Sequence, residues 1–243
     1  MRLGVIGGLG PMATAYYLEL VIRMTDVGRD QDHPEIIVMN IPSIPDRTAY
    51  ILGKSSESPL EPMIDLGLQM KGLGAEVIAT PCVTAHYFHE DLQRGIGLPV
   101  IHVIRKTAEL LKQAGIQRVG LMATDGTVQS GIFQQRIEEL GMEIVLPDAE
   151  GQRGVMALIY DQVKAGLSPD MDLFETIRDQ LHSRGADVVI LGCTELSLLK
   201  KSCDLGDGVL DVLDVLAKES VLACGKPVKP EFDKLFIPIG GKE

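Results

Sequence analysis

The sequence contains no tryptophan, and aromatic residues make up only 4% of its 243 residues. No apolar run approaches the ~20 residues of a membrane-spanning helix, and the N-terminus lacks the pattern of a signal peptide. Basic residues are in the minority, with 23 lysines and arginines against 34 aspartates and glutamates, and the net charge of −11 disfavours nucleic-acid binding. These absences predict a cytoplasmic protein with neither a nucleic-acid nor a membrane partner.

Cysteine is also scarce, with four residues and no CxxC spacing. This spacing disfavours a structural zinc site, and we predict no metal site. In the cytoplasm these cysteines should be thiols rather than disulfides. We interpret Cys203 and Cys224, which have no motif around them, as structural.

The chain is rich in short apolar runs, typical of buried parallel strands, and these runs alternate with helical patterns. Its 45% apolar residues and 26 glycines suit an α/β protein with many turns. The predicted strands are residues 3–7, 36–41, 76–80, 99–103, 118–123, 142–147 and 187–192. The predicted helices are residues 11–25, 59–73, 105–113, 128–140, 154–165, 171–183 and 208–224, with a further helix after Thr84 and a loop at 42–48.

Two segments of the chain repeat. GAEVIATPC at 74–82 aligns with GADVVILGC at 185–193 at one constant offset, and GVIGGLG at 4–10 roughly matches GLMATDG at 120–126. We therefore predict an α/β fold of two similar Rossmann-like parallel-sheet domains, related by a pseudo-two-fold, with the active site in the cleft between them. The predicted domains are residues 1–104 plus 208–243, with a returning C-terminal helix, and residues 105–207.

Each repeat ends its strand with a cysteine, Cys82 or Cys193. Ligands bind beyond the carboxyl ends of parallel strands, so a pseudo-two-fold would bring both thiols to one cleft. Such a pair can remove an α-proton from one face of a carbon and return one to the other face, with no pyridoxal cofactor. Thr84 and Thr194 stand at plausible N-caps, so helix N-termini would lower the thiol pKa values. The alternative is that both cysteines are small buried apolar residues.

With these residues in view, the chain resembles the aspartate/glutamate racemase family over nearly its whole length. The motifs are GVIGGLGPMAT at 4–14, DQDHP at 30–34, IPDRTAYIL at 44–52, PCVTAH at 81–86 and GCTEL at 192–196. The resemblance implies cofactor-independent racemisation of an acidic amino acid by a homodimer. It also implies that Cys82 and Cys193 are the catalytic pair.

By the same resemblance, Arg47 and Lys164 hold the acidic side chain of the substrate, which suits the bidentate fork of arginine. The alternative for each is a solvated surface charge. Glu195 would either orient a thiol partner or cap a helix. The predicted substrate-binding residues are Leu9, Gly10, Arg47, Val83, Thr84, Thr124, Lys164, Thr194 and Glu195.

The glycine loop at 8–13 has the form GxGxxA, but no acidic residue ends the second strand to hold a ribose. We therefore predict that Leu9 and Gly10 line the cleft instead of a nucleotide site. His86 is interpreted as a packed or hydrogen-bonded residue, with a proton carrier as the alternative.

Two positions depart from the family's pattern. Val83 stands where the family has asparagine after Pro-Cys, and Ile41 stands where it often has asparagine before the loop that carries Arg47. Both changes replace an amide with a branched apolar side chain. They predict a less polar pocket wall and an altered or relaxed substrate specificity.

Three functions fit these residues. The first is a racemase for aspartate and/or glutamate. The second is another reaction of the superfamily: hydantoin racemisation, maleate cis–trans isomerisation or arylmalonate decarboxylation. Arg47 and Lys164 favour a substrate with two carboxylates and so argue against a hydantoin. The presence of both cysteines argues against the decarboxylase, which needs one, and maleate isomerisation remains. The third is a non-catalytic amino-acid sensor that kept the fold.

Overall fold

The computed structural model describes residues 1–201 and 203–239. The strands are β1 (Leu3–Gly7), β2 (Ile36–Asn40), β3 (Val77–Ala79), β4 (Arg118–Met122), β5 (Glu143–Val145), β6 (Val188–Leu191) and β7 (Val209–Asp211). The helices are α1 (Pro11–Met24), α2 (Arg47–Ile51), α3 (Leu60–Gly72), α4 (His89–Ile96), α5 (Val103–Gln113), α6 (Asp125–Ser130), α7 (Ile132–Glu139), α8 (Ala149–Met156), α9 (Met171–Ser183), α10 (Thr194–Ser197) and α11 (Val212–Ala223). Short 3₁₀ turns cover Asp30–Asp32, Thr84–Phe88, Leu198–Lys201 and Pro230–Phe232, and a π-helix covers Ala157–Val163.

The strands form two parallel sheets, in the orders β2-β1-β3 and β5-β4-β6-β7. In the first sheet, Leu3 of β1 pairs with Ile36 on one side and Val77 on the other. Strand β4 takes the same central place between β5 and β6. Strands β1, β3 and β6 are buried along their whole length, as expected for parallel strands with helices on both faces. The prediction of two similar parallel-sheet α/β units is confirmed.

The duplication extends to the charged residues at the start of each central strand. The Nε of Arg2, just before β1, donates to Glu35 Oε2 at 2.7 Å. The Nε of Arg118, the first residue of β4, lies 3.0 Å from Glu143 Oε2. In both units the carboxylate stands at the start of the neighbouring strand. Such exposed pairs add little stability, but their matched positions repeat the pseudo-two-fold that the sequence predicts.

The C-terminal helix α11 packs against both α1 and α5. Where it meets α1, the hydroxyls of Tyr17 and Ser220 lie 2.6 Å apart, and both residues are fully buried. The helix starts later than predicted for 208–224, because Asp211 caps it by accepting a hydrogen bond from the amide of Leu213 at 2.9 Å. The residues before it form β7, which joins the second sheet. The division of the chain into two domains stays a prediction, and its residues 202 and 240–243 lie outside the described residues.

Two strand predictions were wrong in part. Residues 99–103 make only one isolated bridge, between Val100 and β3, because the His102 side chain caps a helix that already begins at Val103. Strand β2 was predicted to be covered on both faces. It lies at the edge of its sheet, where Val38 is 37% exposed.

Two predicted helices are also interrupted. Gly131 has a φ of 70°, a left-handed conformation that ends α6 and separates it from α7 within the predicted helix 128–140. The predicted helix 154–165 combines the end of α8 with the π-helix that follows it. The π-helix matters for the site, because Tyr160 lies on it and Lys164 directly follows it.

Candidate active site

Cys82 and Cys193 follow the carboxyl ends of β3 and β6, and both line one cavity between the two sheets, here called the inner cavity. The two cysteines are only 6% and 5% exposed. The inner cavity measures about 10 Å³, which leaves room for about one water molecule. The structure therefore brings both thiols to one site, which is closed to an amino acid in this conformation.

Most of the predicted substrate-binding residues line the inner cavity. They are Leu9, Arg47, Val83, Thr84, Thr124, Lys164, Thr194 and Glu195. Gly10 does not line it, but borders an adjoining space, here called the outer pocket. The sequence analysis missed three residues of the inner cavity, which are Asp46, Thr48 and Tyr160.

The outer pocket has a volume of about 450 Å³, a size suited to a small ligand. It shares its charged residues with the inner cavity: Asp46, Arg47, Lys164 and Glu195. Its other walls are largely apolar, formed by Pro11, Met12, Ala13, Pro42, Ile44, Val163 and Leu198. The two spaces therefore adjoin along these charged residues.

Arg47 is held rigidly at the start of α2. This helix begins inside the predicted loop 42–48, because Asp46 Oδ1 accepts a hydrogen bond from the Ala49 amide at 2.7 Å. The guanidinium donates to backbone carbonyls of Ile44 at 3.2 Å, Pro45 at 2.9 Å and Leu9 at 3.1 Å.

At 7% exposure, Arg47 is a buried cation and not the solvated surface charge that was the alternative. Its Nε is buried without a hydrogen-bond partner. Burial opposes the charge, but the neighbouring Cys82 and Asp46 raise the pKa of Arg47 above its ordinary value. A buried guanidinium that has an unused N–H donor next to Cys82 is suited to bind an anionic oxygen.

Glu195 connects the second thiol to a lysine. The Cys193 thiol donates to Glu195 Oε2 at 2.9 Å, and Lys164 Nζ lies 3.5 Å from Glu195 Oε1. Burial opposes the charge of Lys164, but Glu195 and then Cys193 raise its pKa. Burial, and then the charge of Glu195, raise the pKa of the Cys193 thiol. Of the two roles left open for Glu195, the geometry favours contact with the thiol over capping of the helix.

Gly10 lies against the same carboxylate. A Cβ atom at Gly10 would stand 2.9 Å from Glu195 Oε1, closer than side chains normally approach. The glycine therefore leaves room for Glu195 between the glycine loop and Lys164.

Thr84 and Thr194 do not cap helices through their side chains. Thr84 Oγ1 lies 3.0 Å from Thr124 Oγ1 and 2.9 Å from Thr127 Oγ1, while Thr194 Oγ1 donates to Pro81 O at 3.3 Å. Each of these contacts joins the two halves of the molecule. The expectation that a helix N-terminus lowers both thiol pKa values is wrong for Cys193, because burial and Glu195 outweigh the four-residue helix α10.

The residues that the sequence analysis missed also join the two halves. Tyr160 OH donates to Asp46 Oδ2 at 3.3 Å, and Thr48 Oγ1 donates to Thr124 Oγ1 at 3.3 Å. Asp46 and Thr48 flank Arg47 in the motif IPDRT, which was the available signal for them. Nothing in the sequence marks the π-helix that presents Tyr160, although such turns are frequent at functional sites.

The two positions that depart from the family's pattern have different environments. Val83 lines the inner cavity and is 2% exposed. Ile41 is 38% exposed and borders neither the inner cavity nor the outer pocket. The prediction that both changes repack one pocket wall is therefore wrong for Ile41. Only Val83 places an apolar side chain in the cavity where the family has an asparagine.

His86 contacts the backbone beside Cys82 and does not line the inner cavity. Its Nδ1 lies 3.0 Å from Cys82 O and its Nε2 lies 3.2 Å from Ile101 O. The rings of His89 and His102 are next to it, with centroids 6.2 Å and 6.0 Å away. These contacts favour a packed residue over a proton carrier. Burial, opposed by the Cys82 carbonyl, lowers the pKa of His86 to about 4.

This pKa predicts a loss of stability in acid. As pH falls from about 6.5 to about 4, the unfolded chain binds a proton at this position before the folded protein does. We expect His86 alone to lower the free energy of unfolding by about 3 kcal/mol over that range. Urea unfolding at a series of pH values, for wild type and His86→Gln, measures this contribution. The variant should show a shallower pH dependence, and equal slopes would contradict the prediction.

The described part of the chain contains neither a candidate metal site nor a candidate membrane-spanning helix. Within residues 1–201 and 203–239, no group of three or more histidine, cysteine, aspartate or glutamate side chains is arranged to hold a metal ion. Of the helices described, none is both long and apolar enough to cross a membrane. Cys203 packs against Met171, and Cys224 is buried away from the inner cavity.

The chain is similar over most of its length to known proteins. A broad specificity amino-acid racemase, RacX of Bacillus subtilis, is 25% identical over 226 residues, which cover 90% of this chain and 96% of that protein. Aspartate racemase of Picrophilus torridus superposes with a TM-score of 0.80 at 29% identity, covering 96% of this chain and 98% of that one.

A more distant parallel concerns the fold alone. Glutamate racemase of Francisella tularensis, solved with D-glutamate, superposes with a TM-score of 0.65 at 18% identity, covering 91% of this chain and 80% of that one. A family model described as Asp/Glu/Hydantoin racemase matches residues 6–220, most of this chain and both cysteine motifs. The chain therefore belongs to the Asp/Glu/hydantoin racemase family and is an amino-acid racemase, an isomerase.

Proposed function

We propose that this protein racemises an acidic amino acid, aspartate or glutamate, without a pyridoxal cofactor, with Cys82 and Cys193 as its two catalytic residues. One observation carries the proposal: the two thiols end corresponding strands of the two halves and line the same inner cavity. An α-carbon held between them would present one face to each thiol. The named aspartate and glutamate racemases among its relatives support the same substrate class.

The chemistry is a transfer of two protons. One cysteine, as thiolate, removes the α-hydrogen as a proton, and the electron pair left on the α-carbon spreads into the substrate's carboxylate. The other cysteine, as thiol, donates its proton to the opposite face, so that the configuration inverts. The reaction consumes and releases nothing else, and it leaves the two cysteines with exchanged protonation states.

Arg47 and Lys164 supply the positive charge that this reaction needs. The protein is acidic overall, with a net charge of −11, yet these two cations face the same inner cavity and outer pocket. We propose that they bind the substrate's carboxylates, Arg47 through its unused Nε, and stabilise the charge that develops there. Lys164 also pairs with Glu195, so its positive charge would act on both the substrate and that carboxylate.

Substrate entry requires the two halves to separate. The inner cavity, at about 10 Å³, has room for about one water molecule, whereas the outer pocket has a volume of about 450 Å³. We propose that an amino acid first occupies the outer pocket and that breaking the Tyr160–Asp46 hydrogen bond opens the way inward. Closure afterwards would exclude water from the α-carbanion.

A relaxed specificity is a second candidate, favoured by Val83 and by the apolar walls of the outer pocket. The relative in Bacillus subtilis is named as a racemase of broad specificity. Valine offers no hydrogen bond where the family has an amide, and one such bond to a charged group contributes roughly 1.5–3 kcal/mol. We propose that the missing bond is one to the side-chain carboxylate of the substrate. Neutral amino acids have no such group, so its absence would affect them less than aspartate or glutamate.

Val83→Asn tests this second candidate. We expect the ratio of activity on aspartate or glutamate to activity on neutral amino acids to rise about 10–100-fold. The buried amide should also lower the free energy of unfolding by about 1–3 kcal/mol, because the site is packed with apolar side chains. Val83→Thr, which keeps the branched shape, serves as the control. An unchanged or lower ratio in the folded variant would count against the idea.

The resemblance also favours a homodimer. We propose this assembly, and we propose a cytoplasmic location. Sedimentation of the purified chain at several concentrations measures the oligomeric state. A monomer at every concentration would rule out the dimer.

Proton NMR in D2O tests the reaction itself. L- and D-aspartate, L- and D-glutamate and a set of neutral amino acids are incubated with the protein. Loss of the α-proton signal together with formation of the other enantiomer identifies both the reaction and the substrate. Binding without any exchange would favour the non-catalytic sensor.

A further inference from the structure

Two glycines at corresponding positions of the internal repeat lie where the two halves of the molecule touch. The aligned segments GVIGGLG at 4–10 and GLMATDG at 120–126 end in Gly10 and Gly126. Gly10 stands at the N-cap of α1, which follows β1, and Gly126 lies in the first turn of α6, which follows β4. Neither glycine has a positive φ, so the backbone conformation does not require glycine at either position.

Each glycine receives a residue from the opposite half at a distance that excludes a side chain. A Cβ atom at Gly126 would stand 2.9 Å from Thr48 Cα and 3.2 Å from Thr48 Cβ, where α2 packs against α6. A Cβ atom at Gly10 would stand 2.9 Å from Glu195 Oε1. Real Cβ atoms essentially never come closer than 3.0 Å to another residue's atoms. The missing side chains therefore let the two halves approach this closely.

The two contacts also determine how tightly the inner cavity closes. Thr48 directly follows Arg47, and Glu195 lies two residues after Cys193, so each contact belongs to a segment that lines the inner cavity. In this closed arrangement the cavity measures about 10 Å³. If the halves separate, Thr48 moves away from Gly126 and Glu195 moves away from Gly10. A methyl group at either glycine would then disfavour the closed arrangement and leave the open one unaffected.

We propose that Gly126 and Gly10 are positioning residues for closure, which allow the halves to approach until Cys82 and Cys193 line one closed cavity. The inference rests on the proposed function, in which an amino acid enters when the halves separate and reacts after they close. Neither glycine lines the inner cavity, so neither touches the reacting atoms. Both act through the residue that they receive from the opposite half.

The two contacts differ in how easily they can yield. Gly126 faces the backbone of Thr48, which also donates a hydrogen bond to Thr124 Oγ1 across the same contact. Gly10 faces only the end of the Glu195 side chain, which can move at the cost of its contacts with Cys193 and Lys164. We therefore expect Gly126→Ala to have a larger effect than Gly10→Ala.

The alternative is that both glycines simply pack a permanently rigid contact. In that case an alanine would destabilise the fold and leave the thiols as buried as before. If the contact opens and closes, the alanine shifts the protein toward the open arrangement, and the thiols become accessible. The reactivity of the thiols in the folded protein therefore separates the two interpretations.

The test is the rate of alkylation of each thiol by iodoacetamide, at one pH and without substrate, with mass spectrometry of peptides to quantify Cys82 and Cys203 separately. Cys82 is 6% exposed and should react only from the open arrangement. We expect Gly126→Ala to raise the Cys82 rate about 5–150-fold, the factor that overpacking a close contact typically produces. The Cys203 rate should not change, because Cys203 lies outside the inner cavity. The kcat of racemisation should fall, because the bound substrate must still close the site.

Two other glycines supply matched controls. A Cβ atom at Gly95 would stand 2.6 Å from Ile64 Cδ1, so Gly95→Ala adds a comparable clash within the first half alone. A Cβ atom at Gly72 would have no described atom within 4 Å, so Gly72→Ala adds none. Neither control should change the Cys82 rate or kcat, although Gly95→Ala should lower the melting temperature.

The inference is overturned if folded Gly126→Ala alkylates Cys82 at the wild-type rate, or if Gly95→Ala raises that rate equally. If Gly126→Ala does not fold, Gly10→Ala decides: we expect a smaller rise at Cys82, and a wild-type rate would overturn the inference. These outcomes do not depend on turnover. Faster alkylation in a protein that racemises no amino acid would keep the closure and contradict the proposed function, whereas racemisation with unchanged alkylation would do the reverse.

Discussion

Cys82→Ala and Cys193→Ala should each lower the rate of racemisation by about 10²–10⁴-fold, the usual contribution of one acid or base group. Each variant removes the only described thiol on one side of the inner cavity, and water in a space of about 10 Å³ is a poor substitute. One further result would be specific to a mechanism that uses two bases. Each variant could still exchange the α-proton of one enantiomer with solvent, and the exchanged enantiomer should differ between the two variants.

The measurement is proton NMR in D2O beside chiral chromatography, with L- and D-substrates supplied separately. Cys203→Ala is the matched control, because Cys203 lies outside the inner cavity, and it should retain full activity. Thermal unfolding of all three variants checks that the fold survives. Full activity in either Cys82→Ala or Cys193→Ala would remove the two-thiol mechanism, whatever the substrate.

Arg47→Met should lower kcat/KM for aspartate or glutamate by about 10²–10⁴-fold. In the described part of the chain, the Nε of the guanidinium is buried without a partner, and its Nη2 donates only to Leu9 O, which leaves one hydrogen on each nitrogen. These two donors can offer a substrate carboxylate two charge-assisted hydrogen bonds. Each hydrogen bond to a charged group contributes roughly 1.5–3 kcal/mol, and two together account for the expected range. The loss should be smaller for any neutral amino acid that the enzyme accepts.

This variant needs a structural control, because Arg47 also donates to the carbonyls of Leu9, Ile44 and Pro45. Arg47→Lys keeps the charge and loses the planar fork, so it should recover only part of the activity. Arg29→Met, at an exposed arginine that pairs with Asp32, should have no effect on activity. Equal losses for acidic and neutral substrates, with a lowered melting temperature, would make Arg47 a structural residue instead.

Much of the site follows from the sequence because the chain is duplicated. GAEVIATPC and GADVVILGC each read as a buried strand that ends in cysteine, and parallel strands open their carboxyl ends to one side. Most of the residues that line the inner cavity could also be predicted from the sequence. They lie in short motifs near strand ends or, like Lys164, were placed by resemblance. Asp46 and Thr48 were within reach too, because they flank Arg47 in one motif.

Other features depend on contacts between distant parts of the chain. The pairing of Tyr160 with Asp46 joins residues 114 positions apart, and it depends on a π-helix that no local pattern announces. The exposure of Ile41 follows from the position of β2 at the edge of its sheet. The short strand β7 was not predicted, because the apolar residues around it are equally typical of the start of α11.

The sequence by itself determined the family, the two parallel-sheet halves and the pair of cysteines at corresponding strand ends, because these properties are encoded in local runs of residues. Only the tertiary structure decided the electrostatic environment of each thiol. A carboxylate two residues away faces Cys193, and an arginine 35 positions upstream lies beside Cys82. The ionisation of a buried group depends on the charges within a few ångströms of it in space, and folding chooses those neighbours.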